Sequence, residues 1–120
     1  MRGIDQMIIK DIPMPKAGKK EVLVKLEYVG ICGSDVHYFH HGNCGAYKVD
    51  LSNDYMLGHE CAGTVVAVGE DVTNLKAGDR VALEPGITCG TCEFCKSGRY
   101  NLCPDVVFLA TPPDQGGYEQ

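Results

Sequence analysis

Four cysteines fall within residues 89–103. They are Cys89, Cys92, Cys95 and Cys103, with two residues between each of the first three and seven before the fourth. Nothing else in the chain limits its folding as strongly. Four thiolates gathered in one loop complete a tetrahedral shell around zinc and leave no position for water, so such a site holds structure and does no chemistry. Gly90 and Gly98 let the loop turn around an ion, and metal binding replaces the apolar core that residues 87–104 lack. An iron–sulfur cluster is the rival, because the first three spacings and the Pro104 after the last cysteine match a bacterial ferredoxin run. That run has a shorter last spacing, three residues instead of seven. Disulfides or free thiols are the remaining alternative.

The rest of the composition favours metal-bound thiols. Seven cysteines cannot all pair within one chain, and residues 1–6 lack the apolar centre of a secretory signal. No later segment is long and apolar enough to span a bilayer. These features point to a reducing, cytoplasmic compartment, where clustered cysteines ligate metals. Eleven basic against sixteen acidic residues give a net charge of -5, with no basic run. That argues against nucleic acid or an anionic membrane surface as partner and leaves a small, neutral molecule. A chain of 120 residues makes one domain at most, small for an enzyme that also carries a cofactor, so a further domain is expected elsewhere.

A second constellation lies upstream of the cysteine run. Leu57-Gly58-His59-Glu60-Cys61-Ala62-Gly63 sets two metal-ligand side chains between glycines at the entry of a strand, and Cys32 can bring a third. Thiolate, imidazole and carboxylate suit zinc and leave one position open for water or substrate, which separates a catalytic from a structural ion. Composition alone favours a plainer reading, with a buried thiol, a hydrogen-bonded histidine and a surface carboxylate. Neighbouring strand residues also point to opposite faces, so His59 and Glu60 share an ion only if the backbone bends; otherwise Glu60 sits behind it. Ser34 is placed to accept a proton from a substrate alcohol, or to bond backbone in a turn. His37 is a proton relay or a surface group. His40 and His41 read as solvated, Cys44 as a free thiol and Cys61 as a small packed side chain.

The periodicity is mainly that of strands. Residues 7–15 give a short apolar run stopped by prolines, an edge strand leading into a loop. Residues 21–31 alternate, with Val22, Val24, Leu26 and Tyr28 on one face and Lys25 and Glu27 on the other, and deliver Cys32 at their end. Residues 38–56 read as a long loop, residues 62–69 and 79–84 as strands, and residues 115–120 as the approach to another. No segment shows helical periodicity over three turns.

Taken in order, several motifs carry a resemblance. They are Gly30-Ile31-Cys32-Gly33-Ser34-Asp35-Val36-His37-Tyr38, Gly58-His59-Glu60, Gly78-Asp79-Arg80-Val81-Ala82, the four-cysteine lobe, Gly98-Arg99-Tyr100-Asn101-Leu102-Cys103-Pro104 and Ala110-Thr111-Pro112-Pro113. Together they resemble the zinc-dependent medium-chain dehydrogenases, within them the sorbitol (L-iditol, xylitol) dehydrogenase branch. The resemblance implies a GroES-like, partly open β-barrel, with residues 1–120 the N-terminal part of a catalytic domain and residues 87–104 its zinc lobe. It implies Cys32, His59 and Glu60 at a catalytic zinc, and Cys89, Cys92, Cys95 and Cys103 at a structural one. It further implies Ser34 as first proton acceptor with His37 behind it, Tyr38 in the substrate pocket and Phe108 as an apolar wall. The expected reaction oxidises a secondary hydroxyl of a polyol to a ketone, with hydride passing to NAD or NADP. The parent enzyme is expected to be a homo-oligomer, dimer or tetramer. Such enzymes also carry a Rossmann domain, whereas this chain has no Gly-x-Gly-x-x-Gly and no strand–helix alternation, so by itself it is expected neither to bind NAD nor to turn over. An alcohol or threonine dehydrogenase, or a non-catalytic zinc-stabilised β-module, are the alternatives.

Overall fold

The computed structural model describes residues 1–118. Its principal sheet is three-stranded and antiparallel, in the order β1 (Val22–Gly30), β4 (Glu60–Val68), β5 (Arg80–Ala82). Strand β4 forms where the sequence offers β-branched and small residues, and it buries Cys61, Gly63 and Val65 in strict alternation before its far end emerges into solvent. Gly63 is required there, because a Cβ would collide with the backbone carbonyl of Lys25 on the facing strand. The pairing runs from Val22↔Val68 to Gly30↔Glu60. It thus carries the end of β1, and Cys32 just beyond it, to the start of β4.

The alternation expected across residues 21–31 holds only in part. Register shifts between Leu23 and Val24 and between Leu26 and Tyr28 break the two-residue period, and Tyr28 emerges exposed instead of joining the inner face. No strand forms over residues 7–15; Met7, Ile9 and Met14 lie exposed, because Pro13 and Pro15 and the bends they impose leave no ladder partner among the described residues. The expected loop over residues 38–56 is also corrected. Helix α1 (Gly33–His41) occupies its start, followed by a small hairpin of β2 (Asn43–Cys44) and β3 (Tyr47–Lys48).

Helix α1 escapes a periodicity search because it has only nine residues. Its ends hold it. The Asp35 side chain reaches back to the Cys32 backbone N–H in a capping box, and Gly42, at φ 68°, closes the other end by donating to the Tyr38 carbonyl. Beneath α1 lies the main apolar cluster of Met1, Tyr38, Val49, Tyr55 and Leu57, with Phe39, Cys44 and Tyr118 packed against it. The Tyr55 hydroxyl donates to the Asp114 carbonyl at 2.7 Å and anchors the distal segment to this cluster.

Residues 87–104 leave the body between β6 (Gly86–Ile87) and β7 (Val107–Phe108), which pair and close the excursion. Inside it are α2 (Glu93–Lys96) and a 3-10 turn (Tyr100–Leu102), neither of which buries a residue of its own. The lobe therefore has no apolar core. Residues 115–118 form no strand; Gly116, Gly117 and Tyr118 donate backbone N–H groups to Met56, Gly58 and Leu57, and residues 119–120 of that expected element lie outside the described residues. Among the described residues no helix is long and apolar enough to cross a membrane.

Candidate functional site

Three donors, from two stretches distant in sequence, converge where β1, α1 and β4 meet. Cys32 is the N-cap of α1, His59 stands immediately before β4, and Glu60 is the first residue of β4. Their ligand atoms all lie within 4.8 Å of one another. The bend that strand alternation demanded is supplied by Gly58, whose φ of 91° is open to glycine and rarely adopted by other residues. His59 is consequently not a strand residue, and its ring turns to the side on which Glu60 projects. Glu60 faces Gly30 across the sheet, and a Cβ on Gly30 would strike the Glu60 carboxylate, so this glycine gives the acid its space.

The carboxylate of Asp35 binds the arrangement together. It is 3% exposed. Oδ2 accepts the Cys32 N–H at 2.9 Å and Oδ1 accepts the Gly58 N–H at 3.1 Å. His59 Nδ1 is buried, has no hydrogen-bond partner, and lies 3.7 Å from Asp35 Oδ1. Buried polar atoms are almost always partnered. A thiolate, an imidazole and a carboxylate meeting at one point, with an acid beside the ring, is a donor set that fits zinc with a position to spare.

The remaining expected residues are placed as follows. Ser34 is half-buried in the first turn of α1, two residues after Cys32. His37 is exposed, and its Nδ1 donates to the Asn43 carbonyl at 2.9 Å, which leaves Nε2 the nitrogen able to accept a proton. Its ring lies 4.6 Å from that of His41. His40 is exposed but paired, with Nδ1 2.5 Å from Asp5 Oδ1. Tyr38 is 3% exposed in the apolar cluster, where burial pushes its hydroxyl pKa up. Phe108, on β7, brings its ring 5.7 Å from the His59 ring and forms an apolar flank beside it. Cys61 is buried on the inner face of β4, and Cys44 is half-buried against the cluster.

The second group is the four-cysteine lobe. The sulfurs of Cys89, Cys92, Cys95 and Cys103 also lie within 4.8 Å of one another, and no cysteine among the described residues forms a disulfide. Cys89 and Cys95 sulfurs are 4.0 Å apart. The edge of a zinc–thiolate tetrahedron is about 3.8 Å, whereas a disulfide needs about 2 Å. Backbone N–H groups point at the sulfurs: Cys92 N to Cys89 Sγ at 3.3 Å, Cys95 N to Cys92 Sγ at 3.4 Å, Cys89 N to Cys103 Sγ at 3.5 Å. The Thr91 hydroxyl and N–H, with the Cys92 N–H, draw the Cys89 thiol down to about 6, favouring the thiolate that a metal needs.

The chain thus carries two groups of possible metal donors, one where β1, α1 and β4 meet and one in the lobe of residues 87–104. The chain belongs to the alcohol dehydrogenase GroES-like domain family, which its residues 18–120 match. It is 54% identical over its whole length to sorbitol dehydrogenase of Bacillus subtilis, of which it covers 33%. A crystal structure of an Escherichia coli oxidoreductase/dehydrogenase of unknown specificity superposes with a TM-score of 0.86 at 51% identity, covering 98% of this chain and 33% of that one. A zinc-binding dehydrogenase from Sinorhizobium meliloti bound to NADP gives a TM-score of 0.76 at 32% identity, over 97% of this chain and 32% of that one. The chain thus spans about a third of the length of the curated relatives it matches.

Sequence reasoning missed Asp35, Gly30 and Tyr118 as parts of this site. For Asp35 a signal existed: an acid three residues after a helix-opening residue is a capping-box pattern, and a capping acid there stands beside Cys32.

Proposed function

We propose that residues 1–120 form the N-terminal part of the catalytic domain of an NAD(P)-dependent polyol 2-dehydrogenase, with residues 87–104 as a structural-zinc lobe. Cys32, His59 and Glu60 would hold a catalytic zinc and Cys89, Cys92, Cys95 and Cys103 a structural one. Bound there, the ion would supply Lewis-acid polarisation of a substrate hydroxyl, and a nicotinamide would supply the hydride acceptor. The chain's own residues do the rest. Ser34, at the helix turn beside Cys32, receives the hydroxyl proton. His37 takes it onward through Nε2, since its Nδ1 proton is committed to Asn43. Phe108 lines the apolar side of the substrate site next to His59, and Tyr38 bounds that site from the core beneath α1. No residue of this chain is assigned to the nicotinamide cofactor. We read the whole enzyme as a cytoplasmic homo-oligomer acting on small polyols of the sorbitol and xylitol class.

The observation that supports this most directly is the convergence of Cys32, His59 and Glu60 with the unpartnered His59 Nδ1 turned to Asp35. Zinc counting tests it. Two ions per chain, one readily stripped by a chelator and one held, are expected; a single tightly held ion would leave only a cysteine-clamped β-module. Purified residues 1–120 should form no NADH from sorbitol.

A further inference from the structure

Tyr118 reaches the chain beside each of the three converging donors. Its hydroxyl faces the Gly30 carbonyl at 3.2 Å and Asp35 Oδ2 at 3.3 Å, donating to both in a three-centre arrangement. Gly30 is the partner of Glu60 across the sheet and lies two residues before Cys32. The Tyr118 backbone N–H donates to the Leu57 carbonyl at 3.0 Å, and its ring fills the space that a Cβ on Gly58 would need, immediately before His59. The carboxylate it meets is the one that holds Cys32 and Gly58 and faces His59 Nδ1. Burial, and after it the charge of Asp35, push the hydroxyl pKa up to about 12, so at neutral pH the group keeps its hydrogen and can donate.

We propose that Tyr118 is a positioning residue for the ion held by Cys32, His59 and Glu60, its hydroxyl orienting the Asp35 carboxylate behind His59. The inference rests on reading those three residues as ligands. An acid facing a ligating imidazole must itself be held, or it rotates and the ring loses its orientation. Of Asp35's side-chain partners, Tyr118 is the one that comes from another side chain's hydroxyl and from 83 residues away. It therefore makes the geometry of the donors depend on the docking of residues 115–118.

The test is the stepwise release of zinc to a chelator, read in the protein and in Tyr118→Phe, which keeps the ring over Gly58 and removes only the hydroxyl. The four-cysteine ion serves as an internal measure of folding. Tyr118→Phe should weaken the readily released ion about tenfold to hundredfold and leave the slow phase unchanged. In a cycle with Asp35→Asn, the double variant should lose little beyond Asp35→Asn alone, which a packing role would not produce. Unchanged affinity in Tyr118→Phe overturns the inference, as do independent, additive losses or loss of both ions together. If the unaltered protein releases one ion only, the ligand assignment itself fails and the role of Tyr118 falls with it.

Discussion

Asp35 Oδ1 stands 3.7 Å from His59 Nδ1, and the same carboxylate accepts the backbone N–H groups of Cys32 and Gly58. One buried acid thus ties a helix start, a strand entry and an imidazole to each other. Asp35→Ala leaves two backbone donors unpaired and the ring unsupported. The expected outcome is a stability loss of about 2 kcal/mol or more in urea unfolding, and tenfold to hundredfold weaker binding of the released zinc.

Gly30 and Gly63 should respond differently to alanine. At Gly63 the added Cβ meets backbone, the Lys25 carbonyl and the Leu26 Cα, which cannot move aside without separating β1 from β4. Gly63→Ala should cost about 1 to 3 kcal/mol or more by thermal unfolding. At Gly30 the Cβ meets the Glu60 side chain, whose end is flexible and exposed. Gly30→Ala should therefore leave stability nearly intact while altering the visible spectrum of the cobalt-substituted Cys32 site.

Removing the four-cysteine ion should unfold only its lobe. Neither α2 nor the 3-10 turn buries a residue, so little besides the thiolates orders residues 87–104. Structural zinc supplies on the order of 10 kcal/mol of apparent binding energy. Cys103→Ser, at a residue 4% exposed, should make this segment sensitive to limited proteolysis while residues 22–68 stay protected from hydrogen exchange.

The surface ion pairs of the N-terminal segment should weaken in acid, while Met1 in the apolar cluster keeps the segment docked. Arg2 and Lys10 both reach Asp54, at 3.1 and 2.7 Å, and their hydrogen bonds pull its carboxyl down to about 2. A depressed carboxyl contributes stability that is fully present above its ordinary value near 3.8 and is lost as pH falls towards 2. Asp54→Asn should abolish that part of the pH dependence, measured by unfolding at successive pH values, its small destabilisation being largest above pH 5 and vanishing towards pH 2.

Much of the donor chemistry was legible because it is local. The spacing of Cys89, Cys92, Cys95 and Cys103 already confines their sulfurs to one loop, and Gly58-His59-Glu60 announces two ligand types beside a residue free to bend. Strand β4 was legible for a related reason, since its inward positions fall on alternate residues. Helix α1 was not: nine residues held by Asp35 at one end and Gly42 at the other carry too few turns for a period to emerge. The Tyr28 face was misread because two register shifts in β1 change which side each residue meets, and no single-strand pattern records its partner.

What the sequence determined by itself was the supply of donors, their hard and soft character, and the gathering of four thiols in one lobe, because these follow from side-chain identity and short spacings. Whether Cys32 meets His59 and Glu60 was decided only by the tertiary structure. That meeting depends on the Gly30↔Glu60 register, on the turn at Gly58, and on Asp35 and Tyr118 bonding across 23 and 83 residues of chain. Contacts over such separations form only when the whole sheet has paired, so no local stretch of sequence encodes them alone.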